Sequence, residues 1–257
     1  MTDPGRVVTR RRFGAITVGA LATFALGGAC HGSQAQEGRD GRVTSRPRNG
    51  VRTTAGGQRP LGLGGDRDGI LQVPAKAGDG PLPLHVLLHG AGGTGAGILR
   101  RLGSFAEEAG AVVLSPDSRS STWDAIRGGF GPDVAFLNRA LAQVFETVSV
   151  DPARISVGGF SDGATYGISL GLVNGDLFRR VLAFSPGFFV GTEARGKPSF
   201  FVSHGTADTV LPIDRCSKVI VPALQKNGYD VTFRQFDGGH EIPPAIARAG
   251  FRWVTAV

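Results

Sequence analysis

Ser161 stands at the centre of GFSDG, residues 159–163, a pattern that suits a serine used as a nucleophile. A serine hydroxyl is too weakly acidic to attack a carbonyl unaided. It needs a base within hydrogen-bond reach and a sharp turn between a strand and a helix to present it, with glycines two places either side to relieve crowding. The pattern recurs as GISLG, residues 167–171, but Ser169 has no strand before it and falls inside a helical run, so that match is read as chance. In sites of this strand-turn-helix type the order along the chain is serine, acid, histidine. Of the five histidines, His31, His85 and His89 precede Ser161, and His204 stands just ahead of the best acid. Only His240, in GGHE, lies beyond it. That acid is Asp208, in the strand-end loop HGTADTVLP, with Asp214 as runner-up; Asp230 opens a strand at its wrong end and Asp237 is too close to His240. Asp208 would hold the His240 ring in one tautomer and stabilise the imidazolium formed as Ser161 gives up its proton.

HGAGG, residues 89–93, supplies a glycine-rich turn whose backbone N–H groups can face an oxyanion, the expected donors being Ala91 and Asp162, the residue after the nucleophile. Gly90, Gly92 and Gly95 also satisfy GxGxxG, with Asp117 closing the next strand where a dinucleotide site would need its acid. That reading leaves GFSDG, Asp208 and His240 without a role. No metal-ligand spacing occurs, and no cofactor is expected.

These residues need a scaffold that gathers strand ends. Apolar runs predict strands at residues 68–73, 84–88, 111–114, 154–158, 180–184, 199–204 and 231–236. Helical spacing appears over 98–109, behind Pro132 through Val148, near 164–172 and 216–227, and after Pro243. The alternation implies an α/β fold, a mostly parallel sheet with helices on both faces and chemistry at the carboxyl ends of its strands. Between the strand ending near Phe184 and the one beginning near Ser199 there is room for a loop but not for a cap domain.

The net charge of +7 belongs to the front of the chain. Residues 1–80 carry 12 Lys and Arg against 6 Asp and Glu, and the remainder 16 against 15, so a basic groove for nucleic acid is unsupported. Arg10, Arg11 and Arg12 followed by Phe13 resemble a twin-arginine export motif, and residues 14–29 form an uncharged run with the length of a signal core. An uncleaved membrane anchor is the alternative, although a span calls for roughly 20 strongly apolar residues. LGGAC, ending at Cys30, resembles a lipobox that would attach the chain to a membrane through a lipid; ordinary cleavage after Ala35 is the other reading. The expected organisation is an export signal over residues 1–30, a flexible basic linker over 31–59, too polar to offset its ordering entropy, and a catalytic domain over 60–257.

HGAGG, SPDS, STWD, GPDVAF, GFSDGA, SPGFF, HGTADTVLP and GGHEIPP, in that order between Leu61 and Trp253, together resemble the phospholipase/carboxylesterase-type esterases of the α/β-hydrolase superfamily. They are similar also to the secreted polyhydroxybutyrate depolymerase and feruloyl esterase group. The resemblance implies hydrolysis of small or polymeric esters through an acyl-enzyme without a cofactor. It does not choose among a small-ester carboxylesterase, a polyester depolymerase and a feruloyl-type esterase, and a non-catalytic binding protein on the same fold is the contrasting class. Asp162 departs from the glutamine found there in many cytosolic acyl-protein thioesterases, which speaks against a thioesterase. Trp123 and Phe188 follow predicted strands, so they either line the substrate pocket or pack loop against sheet.

Overall fold

In the computed structural model the described residues are 38–53, 55–76, 78, 80–190 and 193–256. The twin-arginine motif, Cys30 and the cleavage site after Ala35 lie outside them. Eight strands form one sheet: β1 (Gly57–Pro60), β2 (Gly69–Val73), β3 (Leu82–Leu88), β4 (Val112–Pro116), β5 (Val150–Phe160), β6 (Arg180–Phe184), β7 (Ser199–Gly205) and β8 (Val231–Phe236), ordered β1-β2-β4-β3-β5-β6-β7-β8. β1 and β2 run antiparallel to their neighbours, and from β4 to β8 every pairing is parallel. Such pairings need crossovers that cover both faces. The helices that supply them are α1 (Gly95–Glu108), α2 (Pro132–Thr147), α3 (Asp162–Val173) and α4 (Ser217–Lys226), with α5 (Pro244–Thr255) closing the chain.

Strand side chains alternate between two cores, as period-2 geometry requires. Leu84, Val86 and Leu88 of β3, Val112 and Leu114 of β4 and Phe200 and Val202 of β7 pack with α2, α3 and α4. Leu87, Val113, Leu182 and Phe201 face the other way, against α1 and α5. On that second face His85 is fully buried, its Nδ1 lying 2.8 Å from Ser156 Oγ and its ring edge-on to Phe251, so it serves the core. The loop between β6 and β7 covers only residues 185–198, and no helix among the described residues is long and apolar enough to cross a membrane.

The expected flexible linker over 31–59 needs correction. Residues 38–53 form a strap on the α2 and α3 side, and residues 57–60 are an edge strand. Val43 is wholly buried, and its N–H donates to Asn174 Oδ1 at 2.8 Å. The Thr44 N–H donates to Asn138 Oδ1 at 2.7 Å, Arg42 and Arg46 both pair with Asp176, and the Ser149 N–H donates to Thr53 Oγ1. Hydrogen bonds rather than apolar area hold the strap, which is why a composition argument overlooked it. A chain beginning at residue 54 would leave the Asn138 and Asn174 amides short of partners, each worth about 1–3 kcal/mol where buried. Urea unfolding should therefore show it several kcal/mol less stable than a chain beginning at residue 38. Equal midpoints would contradict a structural strap.

Candidate active site

β5 delivers the chain to Ser161 and α3 carries it away. Ser161 has φ 57° and ψ −119°, a left-handed backbone that a residue with a Cβ adopts only under strain of about 1–3 kcal/mol. Neighbours impose it: the Ser161 N–H donates to Phe184 O at 3.0 Å, and Ser161 O accepts from the Thr165 N–H at 3.0 Å. A Cβ on Gly159 would lie 1.9 Å from Leu88 O and one on Gly163 2.2 Å from the same atom, so both glycines are needed to bring the turn against β3. Although Ser161 is the N-cap residue of α3, its side chain makes no capping bond, which leaves Oγ available.

The HGAGG turn after β3 lies against this serine: a Cβ built on Gly90 would sit 3.4 Å from Ser161 Cβ. Within the turn the N–H of Gly92 donates to Ser121 O and that of Gly93 to Gly90 O. The Asp162 N–H heads α3, where the first turn of a helix has no partner of its own. The Asp162 carboxylate accepts from Thr122 Oγ1 at 2.5 Å. Gly95, whose N–H a pyrophosphate would require, instead donates to Asp117 Oδ1 at 2.6 Å, closing the dinucleotide reading on its own acid.

Asp208 follows β7 and His240 follows β8, and the topology sets these strand ends side by side. His240 Nδ1 lies 2.7 Å from Asp208 Oδ2, and the His240 ring packs at a tilt, 4.6 Å from that of Phe160, the residue before Ser161. The Asp208 side chain is fully enclosed, whereas that of His240 keeps 15% of its surface exposed. Burial alone would push the Asp208 carboxyl up, but hydrogen bonds from the Leu211 N–H, His240 and the Val210 N–H outweigh it and hold the group below the usual carboxylate range. Asp214 pairs with Lys218 on the surface and takes no part.

Trp123 does not line a pocket. Only 1% exposed, it stacks on Tyr166 at 5.1 Å and donates from Nε1 to His89 O, so it joins the HGAGG turn to the core beneath. Phe188 is 47% exposed on the loop after β6. Thr165 Oγ1 and Ser169 Oγ hold that loop by accepting from the N–H groups of Gly187 and Val190, at 2.9 Å each. Ser169→Ala should therefore cost roughly 1–2 kcal/mol of stability through the orphaned Val190 N–H while Ser161 keeps its reactivity. Loss of labelling at Ser161 in a folded Ser169→Ala protein would contradict this.

Asp124 and Asp133 brace the loop that carries Trp123. Asp133 accepts from the backbone N–H groups of Arg119 and Asp124, and its own N–H donates to Asp124 Oδ2. Burial, then the charge of Asp124, raises the Asp133 pKa to about 6 against an ordinary 3.8. The folded state thus binds the proton more tightly than the unfolded state. The associated stability is complete below about pH 4 and is lost as pH rises through about 6. Asp133→Asn should flatten that decline in unfolding free energy between pH 4 and 7; an unchanged slope would overturn the assignment.

A family model described as Phospholipase/Carboxylesterase matches residues 135–249. Feruloyl esterase C of Emericella nidulans is 26% identical over 238 residues, covering 77% of this chain and 87% of that protein, and the probable feruloyl esterase C of Aspergillus niger is 26% identical over 160 residues, covering 52% and 58%. Among solved structures, esterase PE8 superposes with a TM-score of 0.60 at 22% identity, covering 73% of this chain and 97% of PE8. The Bacillus cereus carboxylesterase does so with a TM-score of 0.58 at 20% identity, covering 74% and 93%. Together these show the α/β-hydrolase fold and a sequence similar to that of phospholipase/carboxylesterase-type esterases.

Thr122, whose hydroxyl holds Asp162, lies within STWD, but nothing in that stretch marks its threonine as the partner of a carboxylate 40 residues on. His204 was passed over as a base for its place ahead of Asp208, yet its Nε2 lies 3.2 Å from Asp208 Oδ2. A histidine that closes a buried strand four residues before the acid was the available signal.

Proposed function

We propose that the protein is an exported serine carboxylesterase, with Ser161 as nucleophile, His240 as general base and Asp208 as the carboxylate that orients the base. One observation carries this reading: a serine with a forced left-handed backbone and an uncommitted hydroxyl lies next to strand ends where His240 and Asp208 are 2.7 Å apart. His240 takes the Ser161 proton as Oγ adds to the ester carbonyl, and the Ala91 and Asp162 N–H groups receive the negative charge on oxygen. Protonation of the leaving alcohol by His240 yields the acyl-enzyme. Water, activated by the same ring, then releases the acid. No metal or organic cofactor is invoked.

The substrate class is small or accessible carboxylic esters, with exposed Phe188 as an apolar contact beside the site. The fungal relatives named feruloyl esterase favour an ester of an aromatic acid such as ferulic acid as a second reading. Export rests on the arginine pair at Arg10 and Arg11, and lipid attachment on Cys30. The deciding experiment is a panel of short p-nitrophenyl esters, methyl ferulate and polyhydroxybutyrate given to purified protein. Hydrolysis of short esters is expected; activity on none of the three would sink the proposal and leave a binding protein. With only residues 185–198 between β6 and β7, nothing large has to move before substrate arrives. The rate should therefore saturate smoothly with a short-chain triglyceride, and a jump at its solubility limit would indicate a lid.

A further inference from the structure

The geometry points to His204 as a positioning residue that fixes the Asp208 carboxylate toward His240. The inference rests on the reading of Ser161, His240 and Asp208 as a triad. Asp208 Oδ1 accepts from the Val210 and Leu211 N–H groups at 2.9 and 2.8 Å. Its Oδ2 receives His240 Nδ1 at 2.7 Å and has His204 Nε2 at 3.2 Å. An ionised carboxylate offers about four lone-pair sites; three here take hydrogen bonds and His204 Nε2 stands beside Oδ2, so the group cannot rotate without losing a contact.

The tautomer of His204 follows from its partners. Nε2 lies 2.7 Å from Leu211 O, which can only accept, so Nε2 carries the hydrogen and donates it there, with Asp208 Oδ2 at 3.2 Å against the same polar edge of the ring. Nδ1 must then accept, and the Ser217 hydroxyl donates to it at 2.7 Å. Burial pushes the His204 pKa down, which keeps the ring neutral in this arrangement. Ser217, at the start of α4, thus holds the His204 ring by a hydrogen bond, His204 Nε2 abuts Asp208 Oδ2 at 3.2 Å, and that oxygen accepts from His240 Nδ1, so the orientation of a carboxylate just beyond β7 is tied to α4. A core histidine satisfied by Ser217 and Leu211 alone would not need to approach the same oxygen that holds His240.

Three variants of the full chain test this: His204→Phe, which removes the donor; His204→Gln, whose amide N–H can replace it; and Ser217→Ala, which frees the tautomer. Two measurements apply, kcat and KM on the best ester of the panel and the far-downfield proton resonance of the His240 Nδ1–H bonded to Asp208. His204→Phe should lower kcat on the order of ten- to hundredfold with KM within about twofold of wild type, and should broaden or abolish the resonance. His204→Gln should recover kcat to within about threefold and restore the resonance, a rescue that a merely space-filling role would not produce. A folded His204→Phe protein with wild-type kcat and an unmoved resonance overturns the inference, as does a glutamine variant no better than phenylalanine. Where His204→Phe does not fold, Ser217→Ala decides: a several-fold fall in kcat with a broadened resonance supports the inference, and wild-type values for both overturn it. Wild-type protein that hydrolyses no ester would count against the triad reading, and the resonance would still report on the link from His204 to Asp208.

Discussion

Ser161→Ala should abolish ester hydrolysis, lowering turnover by about 10⁴- to 10⁶-fold, because the covalent step loses its nucleophile while the oxyanion donors and binding surface remain. Fold stability should not fall with it. Ser161 Oγ makes no capping bond to α3, so truncation to alanine deletes no hydrogen bond that supports the helix, and the strained backbone is held by main-chain bonds to Phe184 and Thr165 that alanine keeps. A fluorophosphonate probe should label the wild type at Ser161 and leave the variant unlabelled. Labelling at Ser169, or residual activity above one hundredth of wild type with no label, would move the chemistry elsewhere.

Trp123→Ala should cost about 3–5 kcal/mol of stability, the range for deleting a large buried aromatic side chain. Its ring is buried between His89 and Tyr166, and its Nε1 donor satisfies His89 O at the base of the HGAGG turn. Urea unfolding measures the loss. Trp123→Phe should recover part of it, since phenylalanine restores the stacking area but not the donor. A pocket wall would behave otherwise: KM would rise by an order of magnitude with the unfolding midpoint unchanged, and that pattern would reinstate Trp123 as a substrate contact.

Burial pattern explains what the sequence made legible. The apolar runs of β3, β6 and β7 are enclosed on both faces, so a continuous stretch such as LHVLL could hardly be anything but a central strand. GFSDG was legible because its glycines answer a steric demand, the approach of the turn to Leu88 O. Asp208 and His240 were legible by order along the chain, since a parallel sheet brings successive strand ends to one edge.

Polar contacts across long sequence separations were not. Arg42 with Asp176, Val43 with Asn174 and Thr44 with Asn138 join residues 134, 131 and 94 positions apart, and no local period announces them. β1 was missed for a related reason. GQRP has no apolar alternation, and its register comes from pairing with β2. Trp123 could be a pocket wall or a core residue on sequence grounds because the loop after β4 folds back under the HGAGG turn, a path set by the Asp124 and Asp133 brace.

The strap also fixes which way the molecule faces. Gly38 meets the Gly131 carbonyl and Val134 at the start of α2, on the edge where the strands end and Ser161 sits. From there the chain descends along α2 to Thr53 beside Ser149, at the far edge. At the other terminus Ala256 O accepts from Arg180, the first residue of β6, again at the far edge. Immobilisation at Gly38 therefore holds the protein by the edge that carries Ser161, whereas coupling at Ala256 leaves that edge facing away from the support. The choice of attachment point should decide whether an insoluble polymer, too large to diffuse around the protein, can reach Ser161 at all.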